Sequence, residues 1–366
     1  MRHLGLVRRV TNIWAGAPTS GLLEVRNLHR SLQRPRQMKL MADDKPWALI
    51  SEVGREGYIE ESVDILKRHF HIVCHKDFLQ NPALHGPKIQ AVFMWNCCPA
   101  AEPSLLKSLP SLKVITNGGV GIDHLDVSLI NSFGVKVANT PGVVSDATAD
   151  IAMGLLLASA RNIVEYNMIA VDPKTNYVPQ NLMGVEVTGS TLGIIGMGDI
   201  GYKIAQRSKG FNMRILYHNR NRRSAEDEQA VGATYCKNMD DLLKESDFVA
   251  LAVSLTSKTT GLIGRRELSV MKPTATLVNV SRGLVVDQDA LVEALRSGTI
   301  RAAALDVTHP EPLPRDHPLL SLPNALITPH IGTNTFATTM KMVERMVENA
   351  VAAVKGLPLP DEVKLK

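Results

Sequence analysis

Arg282, Glu311 and His330 are the residues of this 366-residue chain whose types and placement together suit carboxylate and proton chemistry. Each follows a short apolar run: Arg282 in NVSRG after Ala275–Val280, Glu311 in ALDVTHPEP after Arg301–Val307, and His330 in ITPHIG after Ala325–Thr328. If the runs are strands of an open parallel sheet, the loops beyond their carboxyl ends meet in one crevice. There an arginine can bind a carboxylate and polarise the neighbouring ketone. A histidine, with an unperturbed pKa of about 6.5, can give a proton to the ketone oxygen as hydride reaches its carbon. A carboxylate beside the ring favours the imidazolium and fixes its orientation. General acid assistance of this kind is worth about 10²–10⁴ in rate. Taken singly, the three also read as a surface ion pair, a loop carboxylate and a helix-capping histidine. Their joint placement is what points to keto-acid reduction.

Such a site needs a hydride source, and Thr191–Gly201 (TLGIIGMGDIG) offers a place for one. Leu192–Ile195 reads as a buried strand running into a loop of Gly196, Gly198 and Gly201. Ile204, Ala205 and Ser208 continue at helical spacing, with Gly210 as the stop. Strand, glycine turn and helix start in that order let a pyrophosphate approach backbone N–H groups at the positive end of a helix. An NAD site usually carries an acid about 20 residues further on, on the ribose 2′-hydroxyl. Here the place reads Tyr217–Arg223 (YHNRNRR), with no acid before Glu226. A 2′-phosphate would meet Arg220, with Asn219, Arg222 or Arg223 helping, since a guanidinium can fork onto phosphate. The other reading is a solvated basic turn. NADP(H) is the preferred cofactor and NADH the second.

Three further stretches stay open on residues alone. Asp306 reads as a buried turn residue or a cofactor ligand. Asn117–Asp123 (NGGVGID) reads as a backbone nest for a small carboxylate or as an ordinary strand-to-helix turn. Trp95–Asn96 either lines the cleft or packs in the core.

The elements that must position these residues alternate regularly. Trp47–Glu52, His71–His75, Ala91–Trp95, Leu112–Asn117 and Lys136–Thr140 are predicted strands. Helices are predicted at Tyr58–His69, near Pro103–Leu109 and at Asp123–Phe133. One long helix is predicted over Ser145–Met168, then an irregular loop over Asp172–Gly189. The second series has strands at Met213–Tyr217, Phe248–Val253 and the three runs above. A helix capped by Asp287 and ended by Gly298 follows, and a last long helix spans Asn334–Gly356. This pattern argues for parallel α/β units with right-handed crossovers. The two long helices are candidates for crossing between domains.

Composition sets outer bounds. With 45% apolar residues the chain can bury large cores, and its length suits two domains. No apolar run approaches the ~20 residues of a membrane span. The net charge of +5 is concentrated: residues 1–40 hold eight of the 41 Lys/Arg but one of the 36 acids, so the remainder stands at −2. No basic stripe for nucleic acid follows from that remainder. Residues 1–40, Arg-rich and dotted with Ser and Thr, read as a mitochondrial transit peptide, a disordered tail, or sequence upstream of a start at Met41. Cytosolic residence is expected unless that leader directs import to the matrix. The four cysteines form no disulfide framework and no zinc spacing, so no metal is expected.

GMGDIG, NVSRG, ALDVTHPEP and PHIG, with VGIDHL upstream and TPGVVSDATAD between, resemble the D-isomer-specific 2-hydroxyacid dehydrogenases from about Pro46 to the C-terminus. Pro312–Leu320 looks most like the glyoxylate/hydroxypyruvate reductase branch. The resemblance implies an α/β protein of two Rossmann-like or flavodoxin-like parallel-sheet domains with a cleft between them. Residues 42–139 and 336–366 would bind substrate, 140–335 the dinucleotide, and 1–41 would lie outside both. It implies that Arg282 binds substrate, Glu311 pairs with the histidine, and His330 is the acid/base. The amides of Val120 and Gly121 would hold the substrate carboxylate, with Trp95 nearby. Gly196, Gly198, Asp199, Ile200 and Gly201 would wrap the pyrophosphate, and Thr256 would line the adenine side. Asp306 would meet the nicotinamide carboxamide, with Thr148 near that end and Val280 and Gly332 completing the cofactor set. A homodimer built through the long helix and the Asp172–Gly189 loop is implied too.

Two departures bear on substrate. The Asp172–Gly189 loop has Tyr177 as its one aromatic, where similar hydroxypyruvate reductases carry tryptophan. The carboxylate loop has NGG before VGID, where relatives are bulkier. Both changes would open the pocket to a longer sugar acid such as 2-ketogluconate. A competing class is a dinucleotide-sensing corepressor of the same fold; the missing NAD-type acid argues against it. A formate dehydrogenase would lack the carboxylate supplied by Glu311.

Overall fold

The computed structural model describes residues 45–364 apart from Glu56 and Val178, so the basic leader lies outside the described residues. Apolar runs too continuous for a half-exposed sheet become parallel strands covered on both faces. The first five are β1 (Trp47–Ile50), β2 (His71–Cys74), β3 (Ile89–Met94), β4 (Val114–Asn117) and β5 (Lys136–Ala138). They pair, all parallel, in the order β2-β1-β3-β4-β5, the flavodoxin-like arrangement. Seven more form a second parallel sheet: β6 (Thr191–Ile195), β7 (Arg214–His218), β8 (Ala233–Tyr235), β9 (Phe248–Leu251), β10 (Thr276–Asn279), β11 (Ala302–Leu305) and β12 (Ala325–Ile327). Its order, β12-β11-β10-β9-β6-β7-β8, is a Rossmann sheet with one added edge strand.

Register decides what meets at the sheet ends. Ile195 pairs with His218 and with Leu251, Asn279 with Leu251 and with Leu305, and Leu305 with Ile327. The last residues of these strands therefore form one row, and every loop that follows them leaves from the same edge. In the first sheet Met94 pairs with Asn117, which sets the loops after β3 and β4 side by side.

The helices show where local pattern was overridden. The predicted helix Ser145–Met168 is two helices, Ser145–Ala160 and Ile163–Val171, bent by 64°. The break sits at Asn162, which takes the left-handed conformation (φ 49°) and donates from Nδ2 to Leu182 O at 2.9 Å. Ala160 O accepts from Val185 N at 2.8 Å and Ser159 O from Arg301, so distant residues occupy carbonyls that a continuing helix would have used. The helix Asp199–Ser208 also does not stop at Gly210; a 3₁₀ turn follows, and Asn212 (φ 51°) ends it. Strand β8 and the helices Ala225–Val231, Met239–Glu245 and Arg265–Val270 lie where no element was predicted. Asp287 caps its helix by accepting from Ala290 N, and Gly298 (φ 71°) closes it.

Ser145–Ala160 packs on Asp199–Ser208 and on β10 and β11, whereas the final helix, Phe336–Val354, packs on β3, β4 and β5 and on Glu60–His69. The chain thus returns from the second sheet to the first. Among the described residues no single helix is long and apolar enough to cross a membrane.

Candidate active site

Strand β10 ends on Asn279, whose side chain clamps the next turn. Its Nδ2 donates to Arg282 O at 2.9 Å, and its Oδ1 accepts from the Ser281 amide and hydroxyl at 3.0 and 2.7 Å. Arg282 then reaches across to the loop after β4. Its Nε donates to Asp123 Oδ1 at 2.9 Å and its Nη1 to Ser281 O at 2.9 Å. Gly121 touches the guanidinium so closely that a Cβ there would stand 1.4 Å from Nη2.

Asn117 ends β4 as Asn279 ends β10, and it braces the loop in the same way. Its Nδ2 donates to Gly119 O and Gly121 O at 3.2 and 2.9 Å, and its Oδ1 accepts from His124 Nε2 at 3.1 Å. Burial keeps the His124 ring below its usual pKa, which suits a neutral donor. Asn139 Nδ2 donates to Val120 O at 2.8 Å. With its carbonyls pinned, the loop leaves the N–H groups of Val120 and Gly121 without an acceptor among the described residues. Such a backbone concavity fits an anion.

His330 is held in a left-handed conformation (φ 53°), a strain of about 1–3 kcal/mol that its surroundings must impose. Asp306, buried at the end of β11, imposes it. The His330 N–H donates to Asp306 O at 2.8 Å; Asp306 Oδ1 accepts from Thr328 Oγ1 and Ile331 N, and Oδ2 from Gly332 N. Asp306 is therefore the staple of this loop. The ring Nδ1 donates to Glu311 Oε2 at 2.8 Å, while Glu311 Oε1 accepts from Thr308 N at 2.9 Å. Burial works against the Glu311 charge, but the His330 hydrogen bond and charge, the Thr308 amide and Arg282 outweigh it and hold the carboxyl below its usual range. Nε2 makes no hydrogen bond among the described residues and is the nitrogen left to carry an exchangeable proton.

At the end of β6 the glycines do separate jobs. Gly196 needs its positive φ (96°), and a Cβ on it would strike the Ala252 carbonyl at 2.7 Å. A Cβ on Gly201 would strike Gly196 O at 2.3 Å, so this glycine lets the helix sit on the turn. Around Gly198 a Cβ would meet nothing within 4 Å. That open flank beside the start of the helix Asp199–Ser208, with Asp199, Ile200 and Gly201 in its first turn, fits an incoming pyrophosphate. Asn219 ties the loop from behind, accepting from Met197 N at 2.6 Å and donating to Met197 O at 3.2 Å.

The basic turn after β7 divides its arginines. Arg222 forks onto Glu228, Nε to Oε1 and Nη2 to Oε2, both at 2.7 Å. That fork and the Tyr217 hydroxyl hold the Glu228 carboxyl at about 2. Arg223 pairs with Asp227, donates to Met197 O and lies over the Tyr202 ring. The Nε and Nη2 of Arg222 are thereby committed to Glu228. Arg220 is exposed and, among the described residues, makes no ion pair or hydrogen bond.

The remaining predicted residues fall in three groups. Thr148 and Gly332 lie together, Thr148 Cγ2 standing 3.5 Å from a Cβ built on Gly332. Thr256 is exposed in the turn after β9, held to Thr259. The Val280 side chain is instead buried in the apolar cluster under the sheet, which leaves only its backbone for a ligand. Trp95 is half-buried: it lies against Tyr58 at a centroid distance of 5.2 Å and fills the space that a side chain at Gly118, in the carboxylate loop, would need. Asn117 and Asp123, singled out by sequence only as the ends of the NGGVGID stretch, join the site through their side chains, and Cys97, given no role by sequence, lies near Asp123. Burial and the neighbouring Asp123 push the Cys97 thiol up. Asp123 stood inside the NGGVGID stretch, and that was its one signal. Among the described residues no cluster of His, Cys, Asp and Glu gathers as metal ligands.

A Rossmann sheet with a fitted glycine turn, facing a histidine–carboxylate pair and an arginine, defines an NAD(P)-dependent oxidoreductase. Residues 153–332 match the NAD-binding domain of the D-isomer-specific 2-hydroxyacid dehydrogenases. The glyoxylate reductase of Aeropyrum pernix is 43% identical over 264 residues, 71% of this chain and 78% of that one. Glyoxylate/hydroxypyruvate reductase B of Pectobacterium carotovorum is 44% identical over 257 residues, 70% and 80% of the two chains. The solved NADPH-dependent glyoxylate/hydroxypyruvate reductase of Sinorhizobium meliloti, in complex with NADP and malonate, superposes with a TM-score of 0.74 at 28% identity, over 87% of this chain and 96% of that one. The chain belongs to the D-isomer-specific 2-hydroxyacid dehydrogenase family.

Proposed function

We propose that this protein reduces a small 2-oxoacid, glyoxylate, hydroxypyruvate or the longer 2-ketogluconate, to the D-2-hydroxyacid with NADPH as the preferred cofactor. The observation that carries this reading is the meeting of two devices where the loops of the two sheets come together. One is the His330–Glu311 hydrogen bond at 2.8 Å; the other is the Arg282 guanidinium set against the open amides of Val120 and Gly121. The amides and Arg282 hold the substrate carboxylate, and Arg282 draws electron density toward the ketone oxygen. The reduced nicotinamide, when bound, supplies hydride to the ketone carbon. His330 delivers the proton from Nε2 to the oxygen, and Glu311 keeps the ring oriented throughout. Arg220, exposed and without an ion pair or hydrogen bond among the described residues, is the side chain we assign to a 2′-phosphate, which supports NADPH over NADH; Asn219 holds the loop behind it.

The active form is a homodimer. The helix Ile163–Val171 buries none of its residues, and Ile163, Val164, Met168 and Val171 on it are exposed, with Tyr177 and Met183 in the loop beyond. Monomeric proteins rarely leave such an apolar patch open, and a second copy covering it is the occupant we assign. The decisive experiment gives purified protein glyoxylate, hydroxypyruvate and 2-ketogluconate with each cofactor and follows oxidation of the reduced nicotinamide. Turnover that is faster with NADPH is expected; no turnover with any pair overturns the reading.

A further inference from the structure

The Arg282 guanidinium has five N–H donors in a rigid fork, and the structure accounts for its edges unequally. Nε is taken by Asp123 Oδ1 at 2.9 Å and Nη1 by Ser281 O at 2.9 Å. Nη2 has no acceptor among the described residues and lies against Gly121, beside the open amides of the carboxylate loop. Asp123 itself leaves from that loop, after β4 of the first sheet, whereas Arg282 follows β10 of the second. The pair therefore joins the two sheets at the cleft, across 159 residues of sequence. Each partner is about a quarter exposed, so the pair adds little to stability, as solvent-accessible ion pairs generally do. What it does supply is direction. A long side chain with several rotatable bonds would otherwise sweep its donors across the cleft.

We propose that Asp123 is a positioning residue for Arg282: by holding the Nε edge, it leaves Nη2 as the donor presented to the carboxylate of the 2-oxoacid. This rests on the function proposed above. Asp123 touches no reacting atom; it acts through Arg282, and its removal costs turnover only while Arg282 is present. A side chain that served the fold alone would cost the same in either background.

The test is a double-mutant cycle with glyoxylate and NADPH. Asp123→Ala is expected to lower kcat/KM for glyoxylate about tenfold to hundredfold, with the NADPH dissociation constant unchanged. In an Arg282→Ala background the same change is expected to add less than twofold. Asp123→Asn keeps an acceptor oxygen for Nε and recovers part of the lost kcat/KM. An undiminished drop in the Arg282→Ala background, no drop in folded Asp123→Ala, or no recovery in Asp123→Asn each overturns the proposal. If circular dichroism shows Asp123→Ala unfolded, Asp123→Ser carries the same cycle under the same criteria. Wild-type protein in the same assay separates the two readings: an inactive wild type defeats the proposed function, whereas an active wild type with an indifferent Asp123 defeats only this one.

Discussion

Replacing Gly121 with alanine adds one methyl group at the point where the two halves of the cleft touch. The new Cβ would stand 1.4 Å from Arg282 Nη2, and the same Cβ would lie 3.1 Å from Asp123 Oδ1. Non-bonded heavy atoms settle at about 3.5–4.0 Å, so the nitrogen must retreat by roughly 2 Å. Gly121 does not carry a positive φ, so the backbone tolerates alanine, and the flexible arginine yields instead. Melting temperature is expected to hold within a few degrees. The guanidinium, however, leaves both Asp123 and the carboxylate loop, and a misplacement of about 1 Å already costs roughly 10² in rate. Steady-state kinetics with glyoxylate should show kcat/KM lowered by about 10² while the dissociation constant for NADPH, measured by fluorescence titration, stays put. Folded Gly121→Ala protein with kcat/KM within twofold of wild type would refute the placement of Arg282.

Other perturbations probe the remaining parts. His330→Ala should lose about 10²–10⁴ in kcat while binding NADPH normally, checked by single-turnover kinetics; near-full turnover would remove His330 from the acid role. Because the folded Glu311 carboxyl lies below its usual range, its contribution to stability is present above the unfolded value of about 4.3 and is lost as pH falls through the folded value. The melting temperature of wild type should therefore exceed that of Glu311→Gln at pH 7, and the gap should close as the solution is acidified below about pH 4. Arg220→Ala tests the proposed 2′-phosphate contact: a charge-assisted hydrogen bond is worth about 1.5–3 kcal/mol, so KM for NADPH should rise about ten- to hundredfold with NADH unaffected, measured by paired cofactor titrations. Met168→Glu places a charge in the exposed apolar helix and tests the proposed homodimer: light scattering should give a dimer mass for wild type and a monomer mass for the variant.

Strong, local signals survived the comparison of chain and fold. Continuous apolar runs became strands within one or two residues of their expected ends, because burial on both faces leaves no ambiguity of face. The glycine loop was readable because strand, glycines and helix follow one another within a dozen residues: Gly196 carries a positive φ, Gly201 lies against Gly196 O, and Gly198 leaves an open flank. Weak or competing signals did not survive. Strand β8 has three residues and an exposed threonine, too little pattern to detect. The helix Ser145–Met168 looked unbroken because its apolar spacing continues past Asn162, while the residues that break it, Val185 and Arg301, stand far along the chain.

By itself the sequence determined the two α/β series, the dinucleotide turn, the missing acid after β7, and the placement of Arg282, Glu311 and His330 after three successive strands. Each of these depends on residue type and on spacing within a few positions, which the chain carries openly. The tertiary structure alone decided that Arg222 goes to Glu228 while Arg220 stays exposed, that Asp306 staples the His330 loop, and that Arg282 crosses to Asp123 and Gly121. Those outcomes are choices among partners, and a charged side chain chooses by distance and geometry once strand register has brought the loops together. Spacing along the chain cannot express that choice.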